Sequence, residues 1–149
     1  MTLTLKGGIM TAPVFDHVGL SVADLDAQRR FYADALGMTE VDEEFAMPEA
    51  HIRSTILRGA DGLKIELIER GGSVRQEFTD PFDGAGTQGY FHWALHVTDL
   101  DATFARLIDA GAARVSEPAP AVRPGARFAY VKDPEGNLLE LIQPAPVRQ

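Results

Sequence analysis

An internal duplication limits the possible folds of this chain more than any other feature of its sequence. Segments 16–26 (DHVGLSVADLD) and 91–101 (FHWALHVTDLD) are identical at six aligned positions, with an offset of 75. Segments 61–68 (DGLKIELI) and 135–142 (EGNLLELI) share four residues, with an offset of 74. Two separate pairs of segments with nearly the same offset indicate two copies of one unit of about 75 residues.

The duplication also predicts the domain organisation. We expect a single domain over residues 14–143, composed of the modules 14–70 and 89–143. The segment between the modules is rich in glycine, a composition typical of linkers. We expect residues 1–13 to form a flexible N-terminal tail and residues 144–149 to form a short C-terminal tail.

Both modules predict the element order β-α-β-β-β. Residues 14–22 alternate apolar and polar side chains as a strand does, and a helix then runs from Ala23 or Asp24 to Leu36, where Gly37 ends it. The corresponding second helix runs from Thr98 or Asp99 to Ala110. Three strands follow each helix, near residues 38–44, 52–59 and 62–69 in the first module and near 113–116, 126–132 and 137–143 in the second. The predicted fold class is α+β, with two tandem β-α-β-β-β modules.

Charge and cysteine content exclude several classes of function. The chain of 149 residues carries a formal net charge of −8, which opposes binding to nucleic acid or to an anionic membrane surface. No apolar run approaches the roughly 18–20 residues that span a bilayer. The absence of cysteine excludes disulfides, thiolate metal sites and a cysteine nucleophile, and it fits a cytoplasmic location.

Four side chains stand at equivalent positions of the two modules: His17 and Glu66 in the first, His92 and Glu140 in the second. Each glutamate interrupts a strand of leucine and isoleucine, where an unpaired carboxylate costs several kcal/mol. Two imidazoles and two carboxylates that converge would form a divalent metal site. The alternative is a pair of hydrogen-bonded His–Glu contacts with a structural role, and the symmetric repetition favours the metal site.

The duplicated unit resembles a known superfamily. The pattern His-x-x-Leu-x-Val-x-Asp-Leu-Asp occurs twice, and residues 133–142 read DPEGNLLELI. These motifs are similar to those of the vicinal oxygen chelate superfamily, closest to its glyoxalase-type metal-binding members, over about residues 14–143. The resemblance implies that eight strands form an open, cup-shaped mixed sheet around a metal ion. It implies Ni, Co, Zn or Mn as the ion, with four ligands: His17, Glu66, His92 and Glu140.

The resemblance also implies a function and its alternatives. A glyoxalase-I-like lyase or isomerase would act on a small oxygenated carbonyl substrate through a metal-stabilised enolate, with Glu140 as the first choice of base and Glu66 as the second. An Fe(II) extradiol-type dioxygenase would use only His17, His92 and Glu140. A protein of the bleomycin-resistance type would bind a small molecule without catalysis. A homodimer is expected, and the site lies within one chain or is shared between two.

Other side chains could line the predicted cup. His96 lies on the same strand face as His92, and Tyr130 and Arg127 lie on the strand before Glu140. Arg53 and Arg58 flank an apolar strand and could meet an anionic substrate group, although strand arginines more commonly face solvent.

Overall fold

The computed structural model describes residues 2–5 and 8–147. Near the N-terminus, strands β1 (Thr2–Leu5) and β2 (Gly8–Thr11) pair antiparallel with each other. They lie within the segment for which the sequence analysis expects a flexible tail, and alternating threonine and leucine in β1 is a strand pattern. Among the described residues, this hairpin joins neither of the two larger sheets.

The first module forms a four-stranded sheet with a helix on one face. Its elements are β3 (Val18–Val22), α1 (Leu25–Leu36), β4 (Glu40–Met47), a 3-10 helix (Pro48–Ala50), β5 (Ile52–Arg58) and β6 (Lys64–Arg70). Its strands pair in the order β3-β6-β5-β4, parallel between β3 and β6 and antiparallel elsewhere.

The second module repeats this arrangement after a short helix in the linker. The elements are α2 (Pro81–Ala85), β7 (His92–His96), α3 (Leu100–Asp109), β8 (Ala113–Pro120), β9 (Arg127–Lys132) and β10 (Leu138–Gln143). The strand order is β7-β10-β9-β8, again with the first and last strands of the module parallel. The predicted α+β class and the duplicated module are therefore confirmed. Within one chain the eight strands form two open sheets of four, and among the described residues the two sheets are not hydrogen-bonded to each other.

Both long helices begin and end close to where the sequence predicts. The side chains of Asp24 and Asp99 cap α1 and α3 and accept hydrogen bonds from the backbone N–H groups three residues later, those of Ala27 and Ala102, at 2.8 and 3.0 Å. Gly37 ends α1 with φ 67°, a left-handed conformation that glycine adopts without strain. The first strand is shorter than predicted and starts at Val18, since the four residues before it make no ladder pairs.

One hydrophobic core is shared by both modules. It contains both helices and the inward faces of both sheets, with fully buried side chains such as Ile65, Leu67, Leu139 and Leu141. Each sheet therefore has an inner face that packs on the helices. The other face, called the open face below, points away from the shared core.

Buried polar contacts fix one module against the other. Asp133 in the second module is 2% exposed and accepts hydrogen bonds from Tyr32 Oη and Gln28 Nε2 of α1, at 2.8 and 3.2 Å. Burial, followed by the charge of Asp133, raises the pKa of Tyr32 well above its ordinary range. Glu135 accepts from the backbone N–H groups of Ala23 and Asp24 at 2.8 and 2.9 Å. Because a buried carboxylate with several donors is costly to disrupt, these contacts hold the modules in one relative orientation.

Within residues 2–5 and 8–147, no helix is long and apolar enough to cross a membrane.

Candidate metal site

The first pair of predicted ligands lies on the open face of the first sheet. Glu66 stands between Ile65 and Leu67, both fully buried against the helices, so the alternation of a strand turns its carboxylate to the other side. His17 directly precedes β3, the neighbour of β6 in the sheet. Its Nε2 atom lies 3.2 Å from Oε2 of Glu66. Both side chains remain partly exposed, which leaves them accessible to a ligand.

Three further side chains hold this pair in place. The imidazole of His17 donates from Nδ1 to Oδ2 of Asp16 at 2.7 Å, and Oδ1 of Asp16 accepts from Nζ of Lys64 at 2.7 Å. Ser54 donates from Oγ to Oε1 of Glu66 at 2.9 Å. The hydrogen bond to Asp16 is the main cause that raises the pKa of His17, and the charge of Glu66 adds to it against the opposing effect of desolvation. We call these five residues the first half-site.

The second pair lies on the open face of the second sheet with the same spacing. Nε2 of His92 lies 3.2 Å from Oε2 of Glu140. Tyr130 is the cross-strand partner of Glu140, and its ring meets the ring of His92 edge-on with centroids 5.6 Å apart. Burial first, and then the charge of Glu140, raises the pKa of Tyr130 to about 12, so the phenol is protonated and can donate at neutral pH. We call His92, Tyr130 and Glu140 the second half-site.

The second half-site contains one unsatisfied atom. Nδ1 of His92 is buried and has no hydrogen-bond partner. The ring of Phe91 packs edge-on against His92, with centroids 4.5 Å apart. Phe91 occupies the position that Asp16 holds in the first module, which explains why the acceptor present in the first half-site is missing from the second.

One chain brings the four predicted ligands together as two pairs. Among the described residues, no group of three or more His, Asp or Glu side chains lies close enough to hold one ion. The cause is the packing around the shared core: each sheet packs on the long helix of its own module and α1 contacts α3, so the open faces lie on the outer sides of the two sheets.

The other candidate residues divide between the two faces. His96 is exposed and lines a groove of about 350 Å³ together with Asp61, Leu63 and Ile142. Arg127 instead pairs with Asp101 at the start of α3 at 2.6 Å. Arg53 pairs with Glu69 at 3.1 Å and Arg58 pairs with Asp42, so all three arginines already have carboxylate partners. Of the side chains considered, Tyr130 alone adjoins a predicted ligand.

Sequence patterns do not predict the contacts that Asp16, Ser54 and Lys64 make in the first half-site. A usable signal existed for Asp16, because it adjoins His17 and differs from the residue at the same position of the second module. Ser54 and Lys64 could be found only from strand register, which places Ser54 diagonally across from Glu66 on the neighbouring strand.

Comparisons with known proteins agree on one group. A family model described as the glyoxalase/bleomycin resistance protein/dioxygenase superfamily matches residues 14–141. A Synechocystis protein named probable lactoylglutathione lyase is 32% identical over 130 residues, which cover 85% of this chain and 92% of that protein. A Vibrio cholerae protein of the same name is 30% identical over 129 residues, covering 85% of this chain and 88% of that protein. The crystal structure of a glyoxalase family protein from Bacillus cereus superimposes with a TM-score of 0.75 at 20% identity, covering 96% of this chain and 100% of that one, which is a likeness of fold.

Proposed function

The chain belongs to the glyoxalase/bleomycin resistance protein/dioxygenase superfamily, and we propose that it is a divalent-metal-dependent lyase or isomerase of the glyoxalase I type. Its substrate would be a small oxygenated carbonyl compound. The observation that carries the proposal is the repetition of one His–Glu pair, with the same 3.2 Å separation, on the open face of each sheet. Relatives named probable lactoylglutathione lyase, at 32% and 30% identity, support the reaction class.

The proposed site is shared between two copies of the chain. The open face of the first sheet bears half-exposed apolar side chains on β4, Phe45 and Met47, each 40% exposed. Register places both on the side of Glu66. If the first sheet of one copy faces the second sheet of its partner, these side chains become covered and each first half-site meets a second half-site. A two-fold dimer of this kind would contain two sites.

The donor set suits a divalent ion. Two imidazole nitrogens and two carboxylates are typical ligands of Ni, Co, Zn or Mn. In the first half-site, the Nδ1 proton of His17 is engaged by Asp16, so the lone pair of Nε2 is available on the side of Glu66. A bound ion would supply Lewis-acid stabilisation of negative charge that develops on a substrate oxygen.

The protein's own groups would move the proton. We assign Glu140 as the base, which takes the proton from the carbon beside the substrate carbonyl and returns it to the neighbouring carbon or to the opposite face. Glu66 is the second choice, because its Oε1 atom is already occupied by the hydroxyl of Ser54. Tyr130, protonated at neutral pH, would donate a hydrogen bond to Glu140 or to a substrate oxygen and so stabilise negative charge at this edge of the site.

Metal analysis tests the proposal. Protein purified without chelators or affinity metals would be analysed for bound elements beside the variants His17→Ala and Glu140→Ala, with Asp101→Asn as a surface control. We expect about one Ni, Co, Zn or Mn per chain in the parent and the control, lost from both ligand variants, and turnover of α-oxo substrates by the parent. Iron in the parent would favour a dioxygenase. No metal in the parent, and none taken up on titration, would rule out both enzymes and leave a small-molecule binding protein.

A further inference from the structure

We propose that the two half-sites have different tasks, with the first as the rigid anchor of the metal and Asp16 as the residue that positions His17 for it. The second half-site, in which His92 has no such partner, would then be the weaker of the two metal-binding pairs. This inference rests on the proposed function, and it concerns which residues within that site hold the ion.

The first half-site is a continuous chain of polar contacts. Lys64 donates to one oxygen of Asp16 at 2.7 Å, and the other oxygen accepts from Nδ1 of His17 at 2.7 Å. Both carboxylate oxygens of Asp16 are thereby used, so the ring of His17 is fixed in orientation and in the tautomer that leaves Nε2 free. A carboxylate that orients a ligating imidazole in this way also makes it a stronger ligand.

The carboxylate of the first half-site is held as well. Oε1 of Glu66 accepts from Ser54 at 2.9 Å, while Oε2 is the atom beside His17. At the position equivalent to Ser54, the second module has Phe128, which offers no hydrogen bond to Glu140. Tyr130, on the opposite strand, is the polar neighbour of Glu140 instead.

The second half-site has no counterpart of Asp16. If His92 ligates through Nε2, its proton must sit on Nδ1, which is buried without an acceptor. The ring of Phe91 packs edge-on against this imidazole and also packs closely on Gly84, where an added Cβ atom would lie 2.6 Å from the ring. His92 is therefore the weaker imidazole ligand, since binding leaves a buried N–H group unpaired.

Two consequences follow for the assembled site. Metal affinity depends more strongly on the residues that surround His17 than on those that surround His92. The two carboxylates would also differ in their support, since Glu66 accepts from Ser54 whereas the polar neighbour of Glu140 is Tyr130.

The test compares Asp16→Asn with Asp101→Asn, a variant that also removes one negative charge and one ion pair but lies at the start of α3. Affinity for Co²⁺ and Zn²⁺ would be measured by competition with a chromophoric chelator. We expect Asp16→Asn to bind about 10–100-fold more weakly than the parent, Asp101→Asn to match the parent, and Asp16→Glu to recover part of the loss.

A second measurement reads the ring directly and does not depend on metal. Long-range ¹H–¹⁵N NMR of the metal-free protein, above the pH at which its histidines are protonated, reports which ring nitrogen carries the proton. We expect the Nδ1–H form for His17 in the parent and a mixture of both forms in Asp16→Asn. His92, whose Nδ1 has no acceptor, is expected to be protonated on Nε2 in both.

The outcomes distinguish a failure of the proposed function from a failure of this inference. A parent that binds none of Ni²⁺, Co²⁺, Zn²⁺ and Mn²⁺ overturns the proposed function and this inference with it. A parent that binds metal, with Asp16→Asn unchanged in affinity and in the tautomer of His17, overturns this inference alone. A loss of affinity shared equally by Asp101→Asn would also overturn it, because the effect would then be one of net charge.

Discussion

Mixing two defective variants tests whether the candidate site is shared between chains. His17→Ala removes a ligand from the first half-site and His92→Ala removes one from the second. In one chain these half-sites lie on the open faces, on the outer sides of the two sheets. If a site is built from the first half-site of one copy and the second half-site of its partner, each variant alone has a defect in every site, but a mixed dimer does not.

The expected recovery follows from counting half-sites. In a dimer of one His17→Ala chain and one His92→Ala chain, one site carries both defects and the other carries none. Random association makes about half of all dimers mixed, and each mixed dimer has one intact site of two, so about a quarter of all sites regain four ligands. A site contained within one chain predicts no recovery at all, since every chain in the mixture carries a defect.

The assay is metal retention, followed by activity once a substrate is known. The two variants would be unfolded together, refolded, loaded with a limiting amount of metal and separated from free ions before elemental analysis. The matched control is a mixture of His17→Ala with Glu66→Ala. Both changes lie in the first half-site, so every site of a mixed dimer stays defective and no recovery is expected. Recovery in the control, or none in the test mixture while the parent refolds with full metal content, would refute the shared site.

Three further predictions follow. Glu66→Gln should lower metal retention and lyase or isomerase turnover by at least tenfold. An Fe(II) dioxygenase would keep its activity in that variant, so a turnover assay beside metal analysis distinguishes the two enzymes. Glu69→Gln should cost about 1 kcal/mol of unfolding free energy at pH 7, because Arg53 and the first turn of α1 both donate to this carboxylate. These hydrogen bonds, chiefly that from Arg53, hold the pKa of Glu69 below its ordinary 4.5. The stabilisation that ionised Glu69 contributes is therefore complete above pH 4.5 and is lost as the pH falls through the lowered pKa. Free energies of unfolding from urea titrations of parent and Glu69→Gln should converge in acid. An equal difference at pH 7 and pH 3 would contradict this role of Glu69. Gly84→Ala should lower the free energy of unfolding by about 1–3 kcal/mol in urea titrations, because the added methyl group meets the ring of Phe91. An unchanged urea midpoint would show that the ring moves aside freely.

Local sequence patterns predict most of the fold because the strongest signals are short-range. Asp24 and Gly37 bracket the first long helix through a side-chain cap and a left-handed residue. The linker helix α2 escapes prediction because its five residues include Pro81 and Gly84, which weigh toward a loop. Asp80 nevertheless caps it, accepting from the backbone N–H groups of Phe82 and Asp83 at 2.8 and 2.9 Å. Helix propensity alone therefore misses α2, a helix that the Asp80 cap stabilises.

Sequence patterns predict each His–Glu pair of the candidate site, but not whether the two pairs lie close together. A two-residue alternation places Glu66 and Glu140 on the face opposite to the buried leucines, and repetition points to the histidines. Whether the pairs converge depends on how the modules pack, and that is decided by long-range contacts such as Tyr32 with Asp133. No local pattern encodes such a contact, so the sequence leaves the intrachain and shared arrangements equally open.

Duplication explains how one small fold could produce an asymmetric site. Both modules supply the same backbone geometry, and both therefore place a histidine and a glutamate 3.2 Å apart. Their surroundings differ at single positions, where Asp16 in one module corresponds to Phe91 in the other. A carboxylate beside one imidazole and a phenyl ring beside the other make the two histidines chemically unequal without any change in strand register. Ion binding requires a fixed carboxylate, whereas proton transfer requires a carboxylate that can move. Two copies of one module can meet both requirements where a single copy could not.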